Sequence, residues 1–156
     1  TESLEMINRE VKSHFYLSAG IGAALSKGIT SKYWNSNLLS AELGVRVWDK
    51  WFLEGSFNMF AYNAALGSMK YLFSNRESSF RFMGGLGFSY FLRDRQVLNW
   101  DQTNGQLQNH YYIVPSLTLL LPISDVYLKA EAQLYIPFQT SERFVFALMP
   151  GLMVMF

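Results

Sequence analysis

Residues 37–48 read NLLSAELGVRVW. Leu39, Ala41, Leu43, Val45 and Val47 take every second position, and Ser40, Glu42, Gly44 and Arg46 take the positions between. Side chains of a β-strand point alternately to opposite faces, so an extended chain here has one wholly apolar face and one small, polar or charged face.

Working outward, the same alternation recurs seven more times. In 14–25, Phe15, Leu17, Ala19, Ile21, Ala23 and Leu25 share a face against Tyr16, Ser18, Gly20, Gly22 and Ala24. Leu53, Phe57, Met59 and Ala61 oppose Glu54, Ser56 and Asn58, and a shorter run near 66–74 sets Met69, Tyr71 and Phe73 against Ser68 and Lys70. Phe80, Phe82, Leu86, Phe88 and Tyr90 oppose Arg81, Gly85, Gly87 and Ser89. Tyr111, Ile113, Leu117, Leu119 and Leu121 oppose Tyr112, Ser116 and Thr118. Val126, Leu128, Ala130, Ala132, Leu134 and Ile136 oppose Tyr127, Lys129, Glu131, Gln133 and Tyr135, and Phe144, Phe146, Leu148, Leu152, Val154 and Phe156 line the last strand. Eight antiparallel strands are therefore expected. Five of them carry interior charges, and each such charge falls on the polar side.

A soluble sandwich also alternates, with its apolar face inward. Three features favour a barrel whose apolar face looks out into lipid. The apolar faces run through about 10–12 residues per strand, the length of a tilted bilayer span and longer than a usual soluble strand. The polar faces are rich in Gly and Ser, which suits a narrow filled interior better than a solvated surface. The connections alternate in length: 26–36 and 93–109 are long and 63–65 and 137–142 shorter, whereas Asp49–Lys50, Ser74–Ser79 and Pro122–Asp125 mark tight turns. Outer-membrane barrels have short periplasmic turns and longer external loops, so both termini are expected in the periplasm. Trp48 and Trp51 flank one tight turn, while Tyr33, Trp34, Tyr62, Tyr90, Trp100 and Tyr111 lie toward the opposite rim, giving two aromatic girdles.

Composition agrees. Of 156 residues, 50% are hydrophobic and 17% aromatic, and only 16% are charged, against about 25% in soluble domains. A net charge of +1 leaves no basic excess for nucleic acid. The absence of cysteine excludes a disulfide scaffold, a thiolate metal site and a cysteine nucleophile. No apolar run reaches the length of a transmembrane helix. The sequence begins at Thr1, which is read as the mature end left by signal-peptide removal. Residues 1–13 stand apart as a periplasmic segment: Leu4, Ile7 and Val11 after Ser3 fit a short amphipathic helix, and a frayed leader fits equally. The barrel proper is expected over 14–156.

The closing residues PGLMVMF resemble the C-terminal assembly signal of outer-membrane barrel proteins. Gly151, Val154 and the terminal Phe156 match, and Pro150 stands where that signal usually has a polar residue. The resemblance implies recognition by the barrel-assembly machinery. Size, strand number and loop asymmetry are similar to the small eight-stranded outer-membrane family that includes the OmpA transmembrane domain and OmpX. Fold likeness of this kind carries no function with it.

The chemistry-bearing residues divide in two. Glu42, Arg46, Glu54, Lys70, Arg81, Lys129 and Glu131 should point into the lumen, where charges need partners. They read as a salt-bridged plug or, alternatively, as a gated ion path. The long segment RDRQVLNWDQTNGQLQN, with Arg93, Arg95, Trp100 and Asp101 and followed by His110, reads as an external recognition loop for protein, glycan or lipopolysaccharide. The second histidine, His14, begins the first strand. No serine adjoins His110, so no catalytic set is expected, and with no calcium-loop spacing or histidine cluster no metal or cofactor site is expected either. The leading reading is a non-enzymatic outer-membrane anchor or interaction subunit whose partners are the bilayer, lipopolysaccharide and a protein of the same membrane. The alternatives are an outer-leaflet lipid A-modifying enzyme and a narrow pore.

Overall fold

A computed structural model describes residues 13–27, 33–59, 63–73, 80–92, 111–138 and 144–156. The strands are β1 (Phe15–Lys27), β2 (Tyr33–Trp48), β3 (Trp51–Met59), β4 (Asn63–Phe73), β5 (Arg81–Leu92), β6 (Tyr111–Ile123), β7 (Val126–Pro137) and β8 (Phe144–Met155). Each pairs antiparallel with its neighbour in sequence, and β1 pairs with β8, so the sheet closes as an up-and-down barrel. Closure matters because lipid offers no partner to a free strand edge. No described helix is long and apolar enough to cross a membrane, a fact that bears only on helices.

The barrel is turned inside out relative to a soluble protein. Leu17, Ile21, Leu39, Leu43, Leu53, Leu86, Phe88, Leu117, Leu148 and Leu152 are all exposed on the outer wall, while Glu42, Glu54, Lys70, Arg81, Lys129 and Glu131 are buried. Every Asp, Glu, Lys or Arg whose side chain is described within a strand faces the lumen. Lipid is the only solvent in which that distribution lowers the free energy, so this is a transmembrane barrel.

The strands run further than the alternation alone suggests. β1 continues to Lys27 and β2 starts at Tyr33, so the long connection expected over 26–36 shrinks to 28–32. Asn63, Ala64 and Ala65 belong to β4, and Pro137 ends β7. Pairing explains the extension: Lys27 sits opposite Tyr33 and Phe144, and Asn63 opposite Met59 and Leu92, so a ladder already formed carries polar residues along with it. Pro122 also lies within β6, opposite Tyr127, and the turn proper is Ser124–Asp125. That turn and Asp49–Lys50 each place their first residue at positive φ, 57° for Ser124 and 46° for Asp49, the backbone a two-residue hairpin demands. Both turns lie at the end that holds Ser13 and Phe156. Residues 1–12 and 93–110, and with them the helix expected near Leu4–Val11, lie outside the described residues.

Two prolines mark interruptions. The β6–β7 register passes from Ile113↔Ile136 to Ser116↔Gln133, skipping Pro115, and the β1–β8 register passes from Gly20↔Gly151 to Ala23↔Leu148, skipping Pro150. Proline has no N–H to give the ladder.

Candidate functional site: the lumen and the outer wall

Three layers fill the lumen. At the turn end Tyr16, Phe52, Leu72, Met83, Leu120, Tyr127 and Met153 form an apolar cluster. At the opposite end Leu38, Leu66, Tyr112, Val114, Tyr135, Val145 and Met149 form another, completed by Ala24, Ala64 and Ala147. Between them lies a connected polar layer. Lys129 donates to Glu42 Oε2 and to Ser18 Oγ at 3.0 Å, and its Nζ stands 3.7 Å from Glu131 Oε1. Lys70 Nζ lies 2.5 Å from Glu131 Oε1 and 2.9 Å from Glu54 Oε1. Glu131 is therefore the shared acceptor of both ammonium groups.

Neutral donors complete the carboxylates. Ser18 and Ser40 donate to Glu42 at 2.8 and 2.9 Å. Thr118 donates to Glu131 at 2.7 Å, and Gln133 donates to its other oxygen. Tyr16 donates to Glu54. Tyr135 donates to Gln133 Oε1 at 2.8 Å, and Asn58 donates to Gln133 at 3.1 Å and to Tyr135 at 2.5 Å. The two tyrosines tie the layers together: each ring packs in an apolar cluster while its hydroxyl reaches the polar layer.

Inward glycines make the room. A Cβ on Gly44 would stand 2.1 Å from the Tyr16 ring, and one on Gly85 2.7 Å from Lys70 Cγ. Arg46 and Arg81 lie toward the turn end, opposite Phe52 and Leu120 in the ladder. Arg46 lies 5.2 Å from the Phe52 ring centroid, and buried Arg81 donates to the Phe80 carbonyl at 3.3 Å. Carboxylate oxygens of Glu42, Glu54 and Glu131 lie within 4.8 Å of one another, a spacing that could ligate a cation. Lys70 and Lys129 already seat positive charge among them.

Of the sequence-derived candidates, the structure brings five together in this layer: Glu42, Glu54, Lys70, Lys129 and Glu131. Asn58, Thr118, Gln133, Tyr16 and Tyr135 join them and are not among those candidates. Their inward parity was readable, but nothing in one sequence tells a filling polar residue from a bonded one. Arg93, Arg95, Trp100, Asp101 and His110 lie outside the described residues. His14 precedes β1, its N–H donating to the Phe156 carbonyl at 2.7 Å.

The outer wall carries the aromatic rims. Phe15 stacks on Phe156 at 5.0 Å and Trp51 meets Tyr71 at 4.9 Å at the turn end. Tyr90 meets Tyr111 at 5.1 Å, and Phe88 meets Phe138 at 5.5 Å, toward the other rim. Of the residues that resemble an assembly signal, Phe156 also anchors its backbone to β1, donating to the Phe15 carbonyl at 2.9 Å, and Val154 pairs with Leu17. Gly151 has a packing reason of its own: a Cβ there would stand 2.2 Å from the Ala19 carbonyl oxygen.

No protein-family model matches this sequence, and no curated protein does. Solved structures do. Neisserial surface protein A is similar with a TM-score of 0.65 at 13% identity, over 91% of this chain and 97% of that one. The Yersinia pestis attachment invasion locus protein Ail, in its complex with the heparin analogue sucrose octasulfate, is similar with a TM-score of 0.57 at 14% identity, over 92% and 99%. The chain is a small eight-stranded barrel of the outer-membrane type. A designed transmembrane β-barrel matches as well, with a TM-score of 0.60 at 10% identity over 93% and 98%. Identities this low carry the fold alone, so the barrel's lumen and rims must speak for themselves.

Proposed function

We propose that this barrel is a non-enzymatic outer-membrane anchor that displays its loops for recognition. The observation that carries the reading is the lumen. A continuous ion-paired layer between two apolar clusters fills the lumen with side chains, which favours the rims, the connections and the outer wall as the surfaces for function. The turn-end position of Ser13 and Phe156, together with the two-residue turns there, supports periplasmic termini and external placement of 93–110. By its resemblance, the segment 150–156 serves as the signal read by the assembly machinery.

Ail's complex with a sulfated sugar suggests a probe, since 93–110 offers Arg93, Arg95 and Trp100 for an anionic glycan or lipopolysaccharide surface. The barrel in phospholipid nanodiscs should bind lipopolysaccharide or sucrose octasulfate, and R93A/R95A/W100A should lose that binding while keeping the heat-dependent gel shift of a closed barrel. Equal binding by the triple variant would remove the loop from the reading. Orientation has a separate test, because the chain lacks cysteine: Thr103→Cys should label from outside whole cells and Asp125→Cys should not. A steady conductance in planar bilayers would replace the anchor with a pore, and an altered lipid A mass on expression would replace it with an enzyme.

A further inference from the structure

The outer wall is not uniformly convex. Gly55 and Gly67 are directly paired across β3 and β4, both face outward, and a Cβ added to either meets nothing within 4 Å. One step toward the loop end, Ala41 and Ala65 lie on either side of Phe57 in the same face. Leu17, Leu43, Phe57, Phe88 and Tyr90 stand around this floor, leaving a shallow, open groove of ≈ 710 Å³. Gly67 pairs with Phe88 and Ala65 with Tyr90, so the groove ends beneath the Tyr90–Tyr111 aromatic pair of the loop-side rim.

We propose that this groove is a binding site for one acyl chain of a membrane lipid in the loop-side leaflet. Three observations favour that occupant. The outward lining is hydrocarbon from Leu17 to Phe88, and the groove begins near the middle of the span, where a chain rather than a headgroup is at hand. Its one polar outward group, the Tyr90 hydroxyl, stands at the rim, where the ester and headgroup of a lipid lie. The hollow is also the wrong shape for a second copy: a two-fold contact centred on Gly55 and Gly67 would set hollow against hollow, whereas a flexible chain fills a concave floor. The proposal rests on the barrel spanning a bilayer and is independent of what the loops bind.

The open space at both glycines supplies the test, since filling them from outside leaves the lumen untouched. The full barrel is extracted in mild detergent, titrated with dimyristoyl phosphatidylglycerol and weighed by native mass spectrometry, its closure checked by gel shift. The wild-type barrel should retain one lipid at concentrations where Gly55→Leu/Gly67→Leu retains none. Ala130→Leu, outward on β7 across the barrel, should retain it as the wild type does. Equal retention by the filled variant, or equal loss in Ala130→Leu, would overturn the site. A wild-type dimer that the filled variant converts to monomer would overturn the lipid in favour of a second copy.

Discussion

Glu42 and Leu43 are neighbours in the chain, and they answer to different solvents. Glu42 accepts from Ser18, Ser40 and Lys129 in the lumen. Leu43 is 48% exposed on the outer wall and needs only to be apolar. The inner face is thus specified by directed partners and the outer face by a solvent. Substitutions inside should cost what a broken network costs. Those outside should cost almost nothing until they bring charge to lipid.

The largest effect is expected at Glu131, the acceptor shared by Lys70 and Lys129. Glu131→Leu leaves two buried ammonium groups short of a carboxylate, and breaking a buried pair by removing one partner costs about 3–5 kcal/mol. Urea unfolding in lipid vesicles measures it. Replacing Lys70 and Glu54 as well, by Met and Leu, should recover part of the loss, because apolar residues of similar volume tolerate burial where a lone charge does not, whereas Lys70→Met alone would strand Glu54. No recovery would mean that Glu131 acts through Thr118 and Gln133 rather than through charge.

The outer face has its own limit. Leu43→Arg near mid-depth should cost about 2–4 kcal/mol, while Trp48→Arg at the turn-end rim should cost about 0–1, since the penalty for charge on the lipid face falls with distance from the midplane. Similar costs at the two positions in the same vesicle assay would mean that Leu43 does not lie at mid-depth.

This division also sets what could be read in one sequence. Period-two alternation reports the solvent on each side, so the strand number, the lipid-facing set and the inward parity of Glu42, Lys70 and Glu131 were all legible. Partnership was not. Lys129 and Glu42 are 87 residues apart, and only barrel closure and register bring them together. Strand ends are not legible for a related reason: Asn63 and Lys27 are polar, yet the ladder extends over them because the partner strand is already there. Gly55 shares the parity of Leu53 and Phe57, so its outward face is readable, but its role in the outer groove appears only when Gly67 is placed beside it.

The glycines sharpen the comparison at the scale of one methyl group. Gly44 faces inward, and a Cβ there meets the Tyr16 ring, the side chain that hydrogen-bonds Glu54. Gly44→Ala should cost about 1–3 kcal/mol as overpacking, and Tyr16→Phe should not relieve it, because the clash is with the ring rather than the hydroxyl. A neutral Gly44→Ala would mean that Tyr16 can leave its seat freely and that the polar layer does not fix it.

The smallest effect is expected one strand over. Gly55 sits opposite Leu43 and faces outward over open space. Gly55→Ala meets no atom and removes backbone freedom from the unfolded chain, so it should stabilise the barrel by roughly 0.5 kcal/mol. In short-chain detergent that gain should appear in full, since a mobile detergent tail adapts to either surface. In phospholipid vesicles an acyl chain seated on the Gly55–Gly67 floor is lifted by the new methyl group, so the gain should shrink. The same gain in both media would leave the inner and outer faces distinct but take away the reason to think that the groove holds a lipid. A loss at Gly55 comparable to that at Gly44 would break the comparison itself, because a solvent-specified face has no partner for one methyl group to disturb.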